Sequence, residues 1–262
     1  MTNDNGDHDN DNAPAPPAKR LGRDEVRPLP KRFYKAVSVA PRQDQFELHL
    51  DGRAIRTPAK QPLAVASEPL ARAIAAEWEA QGERIDPATM PLTKLVNTAI
   101  DAVAERWDEV AADIVAFAGS DLLCYRAATP DGLVRRQSET WDPILAWAKE
   151  ELGADFRLRQ GVMPIDQPAA TLDAVRRALD GVDAVSLAAL HVMTTIGGSA
   201  VLALAHTRGH LTLDQVWHAA TVDETWQREL WGHDVEAAAT TALKRAEFAA
   251  ASRCVYLLRS PR

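Results

Sequence analysis

The chain has 262 residues, of which 46% are hydrophobic and 26% charged, and a formal net charge of −7. This is the composition of a globular protein long enough to build its own core, and the lack of a basic block argues against nucleic acid as a partner. The most apolar run, 201–205, falls far short of the ~20 residues a membrane-spanning helix needs, so no membrane partner is expected.

Residues 1–29 come first and read as a disordered acidic and Pro-rich tail. Asp4, Asp7, Asp9 and Asp11 precede a Pro/Ala segment at 13–17, and nothing there resembles an Arg-rich transit peptide or the apolar core of a secretory signal. A bacterial cytoplasm is the compartment this composition predicts. Cys124 and Cys254 are far apart and lack a CxxC partner, which fits a reducing compartment and predicts two small buried side chains.

Residues 30–66 predict a small antiparallel β domain. Its first strand is expected in Phe33-Tyr34-Lys35-Ala36-Val37-Ser38-Val39. Phe46-Glu47-Leu48-His49-Leu50 alternates apolar and polar residues, and Asp51-Gly52 then supplies the positive φ angles of a type I′ turn before Arg53-Ala54-Ile55-Arg56-Thr57. Residues 63–65 offer one more short strand.

Residues 67–262 predict a larger helical domain, making the fold class α+β. Ser67-Glu68-Pro69 carries a helix-start pattern, a Ser cap followed by a Pro in the first turn. Leu70, Ile74, Glu77 and Gln81 then share one face, flanked by Trp78. Pro91 opens a second helix whose apolar stripe is Leu92, Leu95, Val96, Ala99, Ile100 and Val103. Further helices are predicted at 107–118, 134–151, 168–180, 184–206, 211–231 and 233–258, and Phe156 to Gln160 is compatible with a short strand.

Reaction chemistry is scarce. No phosphate-cradling GxxxxGK[ST] or GxGxxG pattern occurs, so no cofactor is expected. Gly197-Gly198-Ser199-Ala200-Val201 has Val201 where a nucleophile elbow requires Gly, and reads instead as close packing of small residues. His206 and His210 are four apart, but Thr207 replaces the Glu of a zinc-protease helix and Gly209 predicts a helix end, so no metal site is expected. His191 reads as a hydrogen-bonded core residue.

The densest segment runs from Asp223-Glu224-Thr225-Trp226-Gln227-Arg228 through Glu229-Leu230-Trp231-Gly232-His233-Asp234. On one continuous helix, Leu213, Trp217, Ala220, Glu224, Gln227 and Trp231 would form a stripe, with Glu224 interrupting an apolar face and Glu229 opposite it. Two carboxylates on opposite faces do not form an acid/base pair. Glu224 then pairs with a buried Arg, caps a neighbouring helix, or stands on a binding face. The tryptophans, all in predicted helices, read as core residues with some free to serve as interface anchors.

Several stretches resemble the chaperones that assemble the catalytic head of F-type ATP synthase by acting on its alpha subunit. They are Arg32-Phe33-Tyr34-Lys35; Leu50-Asp51-Gly52-Arg53 with Thr57-Pro58; Ala76-Glu77-Trp78 with Gln81; and Met90-Pro91-Leu92-Thr93 with Ala99-Ile100-Asp101. Asp121-Leu122-Leu123-Cys124-Tyr125-Arg126, Trp141-Asp142-Pro143 with Trp147, and the block from Asp223 to Asp234 complete the set. The resemblance implies a protein that is not an enzyme. Without nucleotide, it covers the alpha-subunit surface destined for the beta subunit and leaves when that subunit arrives. Glu224, Gln227, Trp231 and Asp234 are the partner-binding residues expected, on a monomeric chaperone with no catalytic residue. Two alternatives are a hydrolase or transferase using Glu224, Asp223 and His233, and a general holdase with a broad apolar patch.

Overall fold

The computed structural model describes residues 28–232 and 235–259. It is an α+β structure: a β-sheet region at the N-terminal end is followed by a larger helical region. Strand β1 (Val37–Arg42) pairs antiparallel with β2 (Gln45–Leu50), from Val37 opposite Leu50 to Arg42 opposite Gln45. The second edge of β2 is shared by β3 (Arg53–Ala54) and β4 (Ala64–Val65). Asp51 (φ 49°) and Gly52 (φ 78°) make the β2–β3 turn with the left-handed angles their sequence predicts.

The first strand begins later than its aromatic residues suggest. The Asp51 carboxylate accepts hydrogen bonds from the backbone N–H groups of Lys35 and Ala36, which occupies donors a longer ladder would use. Phe33 lies outside the strand and is 73% exposed, while Tyr34 is buried and its hydroxyl donates to the Trp78 carbonyl at 2.7 Å.

Ser67 caps α1 (Glu68–Glu79) by accepting from the Leu70 N–H, as its sequence predicts. The helix packs on β1, β2 and β4. Leu48, Leu63 and Val65 from the sheet therefore enter the same apolar core as Leu70, Ile74, Leu92 and Val96. Helix α2 (Pro91–Thr98) runs on into a π-helical turn at Ala99–Val103, followed by α3 (Trp107–Gly119). Helix α4 (Asp131–Trp147) likewise ends in a π-helical turn at Ala148–Leu152.

Helix α5 (Ala169–Ala178) leads to α6 (Ala184–Gly197), which is central to the helical layer and packs on α2, α3, α7 and α10. Its buried residues include Ala188, Ala189 and Gly197, small enough to let neighbouring helices approach closely. One helix predicted over 184–206 is in fact two, α6 and α7 (Ala200–Thr207). Gly198 adopts φ 67°, and Ser199 caps the new helix by accepting from the Leu202 N–H. A left-handed glycine followed by an N-cap serine ends one helix and starts the next.

The helix predicted over 211–231 is also divided, into α8 (Leu213–Ala220) and α9 (Val222–Trp231), at Thr221 with φ −118° and ψ 23°. Helix α10 (Val235–Arg259) packs through Phe248, Ala251, Ser252, Cys254 and Val255, whereas residues 236–247 are exposed except for half-buried Thr241. Both cysteines are buried and free. The segment left open as a short strand contains β6 (Arg159–Gln160), whose parallel partner, β5 (Tyr125–Arg126), was not predicted.

Candidate partner-binding surface

Most of the resembling stretches turn out to brace the fold. The Arg32 guanidinium donates to the carbonyls of Glu79 and Gln81 and sits 4.6 Å over the Tyr34 ring. Glu77 accepts from the N–H groups of Leu92 and Thr93 at 2.8 Å each and from the Thr93 hydroxyl at 2.7 Å. It thereby caps the otherwise uncapped N-terminus of α2 from the facing helix. Asp101 accepts from the Thr57 hydroxyl and the Ala59 N–H, joining the sheet's last loop to the end of α2.

Asp121 is fully buried and plays the same part deeper in the core. Its carboxylate accepts from the N–H groups of Leu123 and Val201, tying a short 3-10 turn to the start of α7. Burial pushes this carboxyl up to about 6, against hydrogen bonds from Ser199, Val201, Leu123 and Ala200 that hold it down. Ser199, the residue of the failed nucleophile motif, is itself buried and bonded into this cap. Arg126 pairs with Asp142 at 2.8 Å and lies 5.3 Å over the Trp141 ring, and the Trp141 indole N–H donates to the Ala219 carbonyl.

His206, His210 and His191 make structural contacts too. His206 bonds to the Leu211 carbonyl and the Ser252 hydroxyl, fastening the end of α7 to α10. His210 stacks on Trp147 at 5.1 Å. His191, expected in the core, is half-buried and pairs with Asp113 at 2.6 Å near the surface. No group of three His, Cys, Asp or Glu side chains able to hold a metal occurs among the described residues.

Helix α9 divides its residues between two tasks. Val222 is buried, Asp223 accepts from the Gln137 side-chain amide at 2.8 Å, and Gln137 in turn accepts from the Ala127 N–H. Trp226 lies against Gly132 of α4, where an added Cβ would come within 2.6 Å of the ring, and the Arg136 guanidinium sits 5.0 Å over that ring. Glu229 completes the anchor through an ion pair with Arg136 at 2.9 Å, which raises the affinity of Arg136 for its proton and lowers that of Glu229.

The opposite side of α9 points away from α4. Glu224 and Gln227 are exposed, and Trp231 is 86% exposed with Leu230 beside it at 59%. These positions share a face because three, four and seven residues separate them. Glu224 has no side-chain hydrogen bond or ion pair among the described residues, so the buried-cation reading does not apply to it. The break at Thr221 explains the difference from the predicted stripe. Trp217 and Ala220 stay with the core on α8, and the carboxylate goes to the surface on α9. Asp234 and His233 lie outside the described residues.

Sequence reading gave Asp121 only as part of a resembling stretch, without its capping role, and missed the anchoring role of Gln137. The Asp121 signal was present as an acidic residue directly before Leu122-Leu123-Cys124, but its second partner, the start of α7, is 80 residues away.

The chain's relatives fall into one class, chaperones. The model of the ATP12 chaperone protein family matches residues 31–149. The crystal structure of Atp12 from Paracoccus denitrificans is 41% identical, covers 88% of this chain and 99% of its own, and superposes with a TM-score of 0.84. A candidate chaperone from Agrobacterium tumefaciens is 46% identical, covers 88% of this chain and 87% of its own, and has a TM-score of 0.85. Protein atp12 of Schizosaccharomyces pombe, a mitochondrial protein, is 25% identical over 221 residues, 78% of this chain and 76% of its own. The chain belongs to the ATP12 chaperone family, the ATP synthase assembly chaperones its motifs resemble. The family model ends before α9, whereas the solved relatives extend over most of the chain.

Proposed function

We propose that this protein holds the unassembled alpha subunit of F-type ATP synthase through the outer face of α9, and does so without nucleotide and without catalysing a reaction. The observation that carries the reading is the division of labour on α9. Asp223, Trp226 and Glu229 fasten the helix to α4, and Glu224, Gln227 and Trp231 are left exposed, with no side-chain hydrogen bond or ion pair among the described residues. An outward Trp flanked by an unpaired carboxylate is suited to anchoring a partner, since aromatic anchors dominate interface energetics and charge sets orientation. Asp234 belongs to the same proposal. The client's assembly surface is apolar and aggregates while its own partner is missing, so occupying it protects the subunit until the tighter beta-subunit interface displaces the chaperone. A monomer acting in a bacterial cytoplasm fits this reading, with bacterial relatives in support.

The test is affinity for purified alpha subunit together with melting temperature. Glu224→Lys is expected to weaken binding at least tenfold and Glu224→Gln less, both with folding retained. Glu224→Lys binding as tightly as wild type would remove the proposed role.

A further inference from the structure

Beside Glu224 lies a cleft of about 180 Å³ formed where the 3-10 turn at Leu122 meets α4, α6, α8 and α9. Leu122, Trp141, Ile196 and Ala220 give it apolar walls, and Asp223 and Glu224 stand on α9 at its side. Its remaining wall is the last turn of α6, at the negative end of the helix dipole. The carbonyls of Thr195, Ile196 and Gly197 accept no backbone hydrogen bond among the described residues. One oxygen of Asp223 takes the Gln137 amide, and its second takes no hydrogen bond among the described residues.

Resting on the functional reading above, we propose that this cleft receives one arginine side chain of the client. Apolar walls suit the aliphatic stem of a long cationic side chain, which buries its methylenes while the charged head finds acceptors. Carbonyls at a helix end plus two carboxylates offer acceptors in several directions. A guanidinium brings five N–H donors in a rigid plane, whereas an ammonium is a compact, strongly hydrated charge with three. An anion is excluded by the same charges. Glu224 then acts as the wall of a socket, and Trp231 one face-length along α9 as the apolar anchor beside it.

Two measurements test this. In the first, the amide NMR resonances of Gly197, Gly198 and Glu224 are followed while the whole protein is titrated with N-acetyl-arginine-amide or N-acetyl-lysine-amide at matched ionic strength. The arginine compound is expected to shift them saturably, the lysine compound several-fold less, and Glu224→Gln to lose the effect. Equal shifts from both compounds, or shifts indifferent to Glu224→Gln, overturn the proposal. This arm needs no client.

In the second, Thr195→Arg places a guanidinium at the cleft from the protein itself. Thr195 is exposed and its hydroxyl bonds only to carbonyls of its own helix, so the fold should tolerate the change. Affinity for the alpha subunit is expected to fall at least tenfold, and Thr195→Gln to stay within about threefold. If Thr195→Arg binds normally while Glu224→Lys is weakened, Glu224 meets the client outside the cleft; the proposal is then wrong and the client reading stands. If neither variant weakens binding, the client surface is elsewhere and both readings fall. Should Thr195→Arg not fold, the wild-type titration decides alone.

Discussion

Asp121 shows how a single buried charge is tolerated when the backbone pays it back in hydrogen bonds. Its carboxyl sits in the core between a 3-10 turn and the start of α7, and burial has moved its ionisation up to about 6 from an ordinary 3.8. A carboxyl raised in the folded state stabilises the fold below its unfolded value, and the contribution is lost as pH rises through about 6. Lowering the pH from 7 to 5 should therefore stabilise the wild type relative to Asp121→Asn by about 1 kcal/mol. Urea unfolding of both proteins at the two pH values reads this difference. A gap between them that does not widen at pH 5 would show that Asp121 stays ionised. Trp78 is the second informative residue. It packs against the main apolar core and against a smaller cluster of Tyr34, Leu50, Ile85 and Met90, and lies 5.7 Å from the Tyr34 ring, with Arg53 and Arg56 lining the same cavity. Trp78→Arg would add a third cation there and remove the ring, at a cost of several kcal/mol. Low soluble yield and a lowered melting temperature are expected; a stable variant would show that the packing can reorganise around the charge.

At the scale of elements, the join between α4 and α9 governs how the outward face is presented. Gly132 is the point of closest approach, because any Cβ there meets the Trp226 ring at 2.6 Å. Gly132→Ala should push Trp226 aside, disturb the Arg136–Glu229 pair and weaken client binding more than it lowers the melting temperature. Unchanged affinity in that variant would mean the position of α9 is not critical. This join also marks where sequence reading stopped. Asp51-Gly52, Ser67 and Pro91 are local signals whose structural effects lie within a few residues, so the hairpin and the starts of α1 and α2 were legible. The breaks at Gly198 and Thr221 were not, because an uninterrupted apolar periodicity ran across both. Only the fold reveals that Asp121 bonds to Val201 and that Trp141 reaches the Ala219 carbonyl just before the second break. Glu224 was legible as an unusual carboxylate, but its exposure depended on a helix end that the pattern concealed.

For the whole molecule, the distribution of exposed apolar side chains separates a dedicated chaperone from a general one. Phe33 stands near the sheet, Leu158, Val162 and Met163 around β6, and Leu230, Trp231 and Leu243 on α9 and α10. These small groups on separate elements contrast with the broad continuous patch that capture of many unfolded chains would use. In the cleft beside Phe33, the Asp51 carboxylate is committed to backbone N–H groups, and Asp121 is sealed in the core. A chaperone of this kind should suppress aggregation of the alpha subunit at equimolar ratio and leave unrelated aggregating proteins unprotected at the same ratio. ATP should change neither result, because the proposed release is by competition at the client's surface. Beta subunit added to the preformed complex should free the chaperone in proportion to the amount added. Equal protection of unrelated clients would favour a general holdase. Release that requires ATP would instead place an energy-consuming step on this protein or its client.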